Sequence, residues 1–244
     1  DTDRSRGLGD VYKRQVLLGK RPAEQASDKR TEDSLFVYYH GIRPGEYEIR
    51  AAYSGKLRRP RKEPFLYACP QPAVQDSTTR GDWPGRYGSK GYVFCHYEPD
   101  GSHRIRLPEF TDSIRFAKTG GLHIATRTDD RRAPVSEDGS GTRNAGTVVT
   151  LDPAPCNQTM TVDIRNKHDG PYRLALYFVD WEKTGRRSAV EVFDLDDKRL
   201  LMPVQIVRDY REGRYVVLSL EGSVRLRINQ VRGTNASLCA LFFD

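Results

Sequence analysis

The sequence has no run near the roughly 18 consecutive apolar residues that a helix needs to cross a membrane, which excludes a helical membrane span. It also lacks a C-x-x-C pair. The four cysteines, Cys69, Cys95, Cys156 and Cys239, are spread widely, which argues against a zinc site or a thioredoxin-like motif. Three pairings are open to them, and the sequence does not choose. Cys239 alternates with apolar neighbours in "SLCALFFD" and is expected as a buried free thiol. The five histidines, His40, His96, His103, His123 and His168, share no metal-ligand spacing, so no metal ligands are assigned. There is no G-x-S-x-G around a serine and no phosphate-loop or dinucleotide glycine pattern. No catalytic residue and no cofactor is therefore expected. Methionine is scarce, at 2, whereas glycine (21), proline (14) and tyrosine (13) are plentiful, a balance of many turns and strands rather than a helix bundle.

The net charge of +7 is local. Five basic side chains and no acid lie in "KLRRPRK" at 56–62, and residues 1–15 contribute one further positive charge, so the remainder of the chain carries only +1. One basic loop is most often a solvated loop, and at most makes a salt-sensitive contact with phosphates or acidic polysaccharide. With no RNA-recognition, helix-turn-helix or zinc-finger pattern, nucleic acid is not an expected partner.

The chain does not begin with Met and shows no signal-peptide pattern. The stretch "RGLGDVYKRQ" resembles translated sequencing-adapter read-through at the end of a metagenomic reading frame. Residues 1–15 are accordingly expected to be artefactual, and the chain a fragment. Residues 16–34 are polar and expected disordered or weakly helical. Residues 35–72 read as a partial β segment of a preceding module: two extended runs flank the turn signal "RPG" and lead into the basic loop.

Residues 73–244 read as one β-sandwich. Short alternating stretches such as "TMTVDIR", "RYVVLSL" and "SVRLRINQV" recur at the spacing of sandwich strands, and no window carries a helical stripe. In the last of these, Val224, Leu226 and Ile228 should face the core and Arg225, Arg227 and Asn229 the water. In "YRLALYFVDWEKTGRR", both Leu174, Leu176, Phe178 and Ala175, Tyr177, Val179 are apolar, which marks a central strand covered on both sides. Residues 129–146, charged and rich in Gly and Ser, are expected as a long exposed loop. The fold class is thus all-β: an antiparallel sandwich, jelly-roll or galactose-binding-like, preceded by the partial β segment. An immunoglobulin topology lacks its Cys–Trp–Cys order.

Two segments carry a resemblance. "DSTTRGDWPGRYGSKGYVF" at 76–94 follows the pattern D-x-x-T-x-G-x-W-x-G-x-Y-G-x-x-G-Y, and "YRLALYFVDWEKTGRRSAVEVFD" with "VRLRINQVRGTNASLCALFFD" forms a matching closing half. Together they resemble an uncharacterised β-sandwich module, similar to galactose-binding-like jelly rolls, that is appended to bacterial extracellular glycoside hydrolases. The resemblance implies a non-catalytic carbohydrate-binding or scaffolding role in a secreted or cell-envelope bacterial protein. Its expected partners are carbohydrate or a covalently linked catalytic domain. The alternative is a supporting C-terminal domain of a glycoside hydrolase or lyase whose catalytic domain lies outside this fragment.

The candidate ligand residues are Trp83, Tyr87, Tyr92, Asp180, Trp181, Arg186 and Arg187. The first three are aromatics on a glycine-rich loop and are suited to stacking on sugar faces. The competing role is structural: Trp83 plugs the end of the sandwich and Tyr87 caps an edge through its hydroxyl. Asp180 and Glu182 have a spacing that a pair of glycosidase carboxylates permits, but so does every D-x-E at a strand end. Pairing of Asp180 with Arg186 or Arg187 across the turn is the stronger reading, and arginines beside Trp181 would also suit a sugar or a carboxylate. A structural Ca²⁺ held by loop carbonyls with Asp76 or Asp244 is a further option.

Overall fold

The structure, a computed structural model, describes the backbone of residues 10–18, 21–22, 25–30, 35–39 and 48–54, and residues 73–150 and 158–244 in full. The chain divides into two compact units, Asp1–Leu66 and Tyr67–Asp244. The basic run at 56–62, the "RPG" turn, Cys69 and Cys156 lie outside the described residues.

In the first unit, β1 (Asp10–Leu18) is flanked by β2 (Arg21–Pro22) and β5 (Glu48–Ser54) in an antiparallel three-stranded sheet. β3 (Gln25–Arg30) pairs with β4 (Leu35–Tyr39). β1 overlaps positions 10–15 of the stretch expected to be artefactual and pairs along β5, and β2 and β3 lie within the polar segment 16–34. Backbone pairing recruits these segments, and it leaves no apolar period to read in the sequence.

Among its described residues the second unit contains fourteen further strands and no helix, hence none long and apolar enough to cross a membrane. They are β6 (Val74–Asp76), β7 (Gly91–Phe94), β8 (Arg104–Arg106), β9 (Thr111–Ala117), β10 (Thr119–Ala125), β11 (Ala145–Thr150) and β12 (Thr159–Asn166). The remainder are β13 (Pro171–Phe178), β14 (Arg187–Asp194), β15 (Gln205–Val207), β16 (Arg214–Glu221), β17 (Val224–Arg232), β18 (Ser237–Leu238) and β19 (Ala240–Phe243). A six-stranded sheet, in order β6-β16-β13-β19-β7-β8, and a five-stranded sheet, β15-β14-β17-β12-β9, supply the two walls of the main core. A small sheet, β10-β11-β18, completes the set, and every pairing is antiparallel.

The period-2 patterning explains the core. Leu174, Leu176 and Phe178 of β13, with Val216 and Leu218 of β16, meet Val162 and Ile164 of β12, Val190 and Val192 of β14, and Leu226 and Ile228 of β17. The second apolar row, Ala175 and Tyr177 of β13 with Val179 just beyond it, is also buried, on the opposite face of the same sheet. β13 is therefore covered on both sides, as its sequence implies.

Two expectations are corrected. The polar row of β17 is not wet: Arg227 and Asn229 are buried. Asn229 accepts the Thr159 hydroxyl at 2.7 Å and donates to Glu191 at 2.9 Å, while the Arg227 guanidinium lies over the Phe193 ring. Buried polar atoms of this kind are tolerated because they are hydrogen-bonded. The second correction is residues 129–146, which are not simply exposed: Ala133, Pro134, Ser136 and Asn144 are buried. That loop packs over the outer face of the six-stranded sheet. The Tyr177 hydroxyl donates to the Arg132 carbonyl at 2.8 Å, and Val135 N–H donates to the Gly81 carbonyl at 3.0 Å.

Candidate functional site

Three structures share the outer face of the six-stranded sheet: an aromatic cap, an ion-pair knot at the end of β13, and an open cleft. The cap is built by residues 77–90. Asp76, the last residue of β6, begins it by accepting hydrogen bonds from Thr78 N–H and Oγ1, both at 2.7 Å, and from Thr79 N–H at 3.3 Å. Its other oxygen accepts the Thr79 hydroxyl at 2.5 Å and the Tyr87 hydroxyl at 2.9 Å, with Arg86 at 3.6 Å. Burial alone would raise the Asp76 pKa, but these donors outweigh it and hold the carboxyl far below the usual carboxylate range. Burial, with the bond to Asp76, pushes Tyr87 up to about 12.

Beyond this turn the rings close over the sheet. Tyr87 stacks on Tyr215 and Tyr215 on Tyr177, each pair with centroids 4.4 Å apart. Trp83 packs within 5.6 Å of Tyr92, Phe94 and Phe242, and its indole N–H donates to the Val135 carbonyl at 2.7 Å. Gly88 allows this fit. It has φ +75°, and a Cβ there would stand 3.0 Å from Phe242 and 3.1 Å from Trp83. The glycine–aromatic spacing of 76–92 is thus a folding pattern.

These positions correct part of the ligand assignment. Trp83 and Tyr92 are only 4% and 3% exposed, so their rings face neighbouring side chains and not a ligand. The Arg106 guanidinium covers the Tyr92 ring at 4.9 Å. Tyr87 is also buried, in its edge-capping role, yet it forms one wall of the cleft.

The knot corrects two more. Asp180 and Arg186 are 1% and 5% exposed and paired at 2.6 Å. The Asp180 carboxylate also accepts the N–H groups of Gly185 (2.7 Å), Arg186 (3.1 Å) and Thr184 (3.2 Å), so it shapes the whole turn. Burial would raise its pKa, but those N–H groups and the guanidinium hold it below the usual range. Arg186 also binds Glu182 and, through Nε, Asn235 at 2.9 Å. Asp180 and Glu182 thus share one guanidinium, an arrangement that leaves neither free as a catalytic acid or base. Trp181 is half-buried, with the Arg132 guanidinium 5.0 Å above its ring, and Arg187 is half-buried on β14 opposite Arg232.

Among the described residues, neither Asp76 nor Asp244 stands in a cluster of three or more His, Cys, Asp or Glu side chains. Asp76 is ringed by donors rather than by oxygen acceptors, and Asp244 accepts Ser89 N–H at 2.8 Å. Among the described residues no three His, Cys, Asp or Glu side chains converge on a metal position. Cys95 and Cys239 are free and buried, and burial pushes the Cys239 thiol to about 11.

What stays open is a cleft of about 710 Å³ beside the cap. Its floor is Val217 on β16, its walls are Val74 on β6 and the edge of Tyr87, and its rim carries Ser77, Thr78, Arg86, Arg173 and Ser219. The register produces it: Arg173 and Ser219 are directly opposed, two residues beyond the Ala175–Val217 pair, on the outer parity of both strands. The cap ends at Tyr87, so this end of the sheet is not roofed. Sequence reading missed Arg173. The signal was present, since it is a lone charge on the same parity as Ala175 and Tyr177, but only the pairing with Ser219 reveals a cleft.

No protein-family model matches the chain, and no curated protein matches it. Among solved structures it is similar to a family 35 carbohydrate-binding module from an environmental isolate, with 9% identity, 54% of this chain and 88% of that chain covered, and a TM-score of 0.34. It is also similar to the module CBM6cm-2 of Cellvibrio mixtus lichenase 5A in complex with cellotriose (8%, 64% and 96%, 0.33). A third is TmCBM61 in complex with β-1,4-galactotriose (10%, 54% and 87%, 0.33). At such values the reading of the cleft rests on its own geometry.

Proposed function

We propose that the unit spanning residues 67–244 is a non-catalytic carbohydrate-binding β-sandwich, and that the cleft on the outer face of its six-stranded sheet takes the sugar. The observation that carries this is the cleft's composition. An apolar floor and aromatic edge lie inside a rim of hydroxyls and guanidinium groups, which suits a ring with C–H faces and peripheral hydroxyls. The Ser77 and Ser219 hydroxyls make no hydrogen bond within the described residues, which leaves them for a ligand. The volume falls in the range of small-molecule sites, roughly 300–1,000 Å³.

The wider setting follows the sequence resemblance: a module of a larger secreted or cell-envelope bacterial protein that processes polysaccharide, covalently linked to a catalytic domain. The carboxylates of the knot support a binding rather than a hydrolytic role, because both are committed to Arg186.

A glycan array or affinity gel with the whole chain tests this, with Ser219→Trp as the blocked variant. Ser219 is exposed, so the indole would fill the cleft without entering the core. The expected result is retention by at least one glycan, lost in Ser219→Trp at an unchanged melting temperature. Retention by no glycan would reduce the unit to a scaffold, and binding that survives Ser219→Trp would move the site elsewhere.

A further inference from the structure

The cleft contains a feature that a neutral sugar does not require. Arg173 projects from β13 into the rim, and among the described residues its guanidinium makes no hydrogen bond and no ion pair. Most other arginines near this face are committed. Arg86 pairs with Asp76, Arg106 donates to the Gly88 carbonyl at 3.0 Å and covers Tyr92, and Arg132 pairs with Asp130 at 2.7 Å. The carboxylate that lines the cleft is committed as well: Asp76 is saturated by five hydrogen bonds. Two guanidinium groups and one carboxylate line the cleft, so it carries a net charge of +1 that resides on Arg173.

We infer that the ligand is an acidic sugar, a hexuronate whose carboxylate is held by Arg173. This rests on the carbohydrate-binding reading above. A planar guanidinium presents two parallel N–H groups that match a planar carboxylate, a geometry that a hydroxymethyl group cannot use. Ser219, directly across the strand pair from Arg173, is placed to hydrogen-bond a ring hydroxyl beside that carboxylate. The Val217 floor and the Tyr87 edge take the C–H face of the ring. Arg86 adds charge at the other end of the rim without being released from Asp76. Specificity of this kind is strong because a polar group built for a charged partner discriminates against a ligand that lacks it.

The test compares xylan- and pectin-derived oligosaccharides carrying a uronate with the same oligosaccharides after reduction of the carboxylate to a primary alcohol. Binding to the whole chain is measured calorimetrically at low salt. The acid form should bind at least about tenfold more tightly. In Arg173→Ala the acid form should fall to the affinity of the reduced form measured on the same variant, so that the ratio between the two approaches one. Arg173→Lys should recover only part of the preference, since an ammonium cannot engage the carboxylate bidentately. Equal binding of acid and reduced forms would overturn this inference and leave carbohydrate binding intact. A preference that survives Arg173→Ala would also overturn it and assign the charge effect to the basic run at 56–62. Binding of neither form would remove the carbohydrate reading itself.

Discussion

The two faces of the six-stranded sheet are both buried over most of their area, but different physics holds them. The inner face, with Leu174, Leu176, Phe178, Val216 and Leu218, meets another sheet through apolar contact alone. The outer face meets loops, and the loops are held by directional bonds: Tyr87 to Asp76, Trp83 to Val135, Tyr177 to Arg132, and Arg186 to Asp180. A sheet can cover a sheet by matching pleats, and here the seal opens only toward its margin, where a cavity of about 530 Å³ reaches Leu201, Met202 and Leu220. A loop has backbone polar groups of its own to satisfy, so it covers only as far as its anchors reach. The cleft lies where the anchors stop, at Tyr87. The proposed sugar site therefore lies on the face whose cover is made of specific bonds.

This difference can be tested by breaking one contact on each side. Arg186→Met leaves Asp180 buried without its counter-charge, for an expected loss of about 3–5 kcal/mol. Leu176→Ala leaves a cavity in the inner core and should cost about 2–5 kcal/mol. Their sizes overlap, so the decisive measurement is pH dependence in urea denaturation. The cost of Arg186→Met should shrink as the pH falls, because protonation neutralises the stranded carboxyl. The cost of Leu176→Ala should stay constant. A pH-independent Arg186→Met would mean that the knot acts by packing and not by charge.

The inner face was readable from the sequence and the outer face only in part. Alternation in β13 and β17 announces the apolar rows because burial between sheets follows a period of two. The glycine–aromatic pattern at 76–92 announces an unusual turn, but the same rings suit a sugar platform or a plug. Which one holds depends on residues 126–144, whose polar composition gives no sign that Val135 packs against Trp83 and that the Arg132 carbonyl takes the Tyr177 hydroxyl. Asp180–Arg186 was visible as a pairing because the turn is local. Arg173 was not visible as a site, since a lone arginine in a strand looks solvated until its opposed serine and the end of the cap are known.

Gly88→Ala tests whether the cap is as tightly fitted as the inner core. The residue must hold φ +75° with a methyl pressed against Phe242 and Trp83, and the expected loss is about 2–3 kcal/mol. Near-ultraviolet circular dichroism should report it locally, through a change in the Trp83 environment. A loss of under about 0.5 kcal/mol, within the range of surface substitutions, would show the cap to be a loose cover.

The smallest effect separates the faces at the extremes of pH. Asp76 has a folded pKa below its unfolded value of 3.8, so the stability it contributes is fully present above that value and is lost as the pH falls through it toward the folded one. Asp76→Asn should therefore cost about 1–2 kcal/mol at neutral pH and progressively less below about pH 3. Tyr87 runs the other way. Its folded pKa of about 12 stands above the ordinary value of 10.0, so its contribution is complete below pH 10.0 and is lost as the pH rises toward 12. Tyr87→Phe removes that alkaline loss and with it the fifth hydrogen bond to Asp76, so it should flatten the alkaline limb and shallow the acid one together. Two limbs that respond to one hydroxyl would tie the stability of the cap to the Asp76–Tyr87 bond. Limbs that moved independently would place the titrating groups elsewhere on the chain.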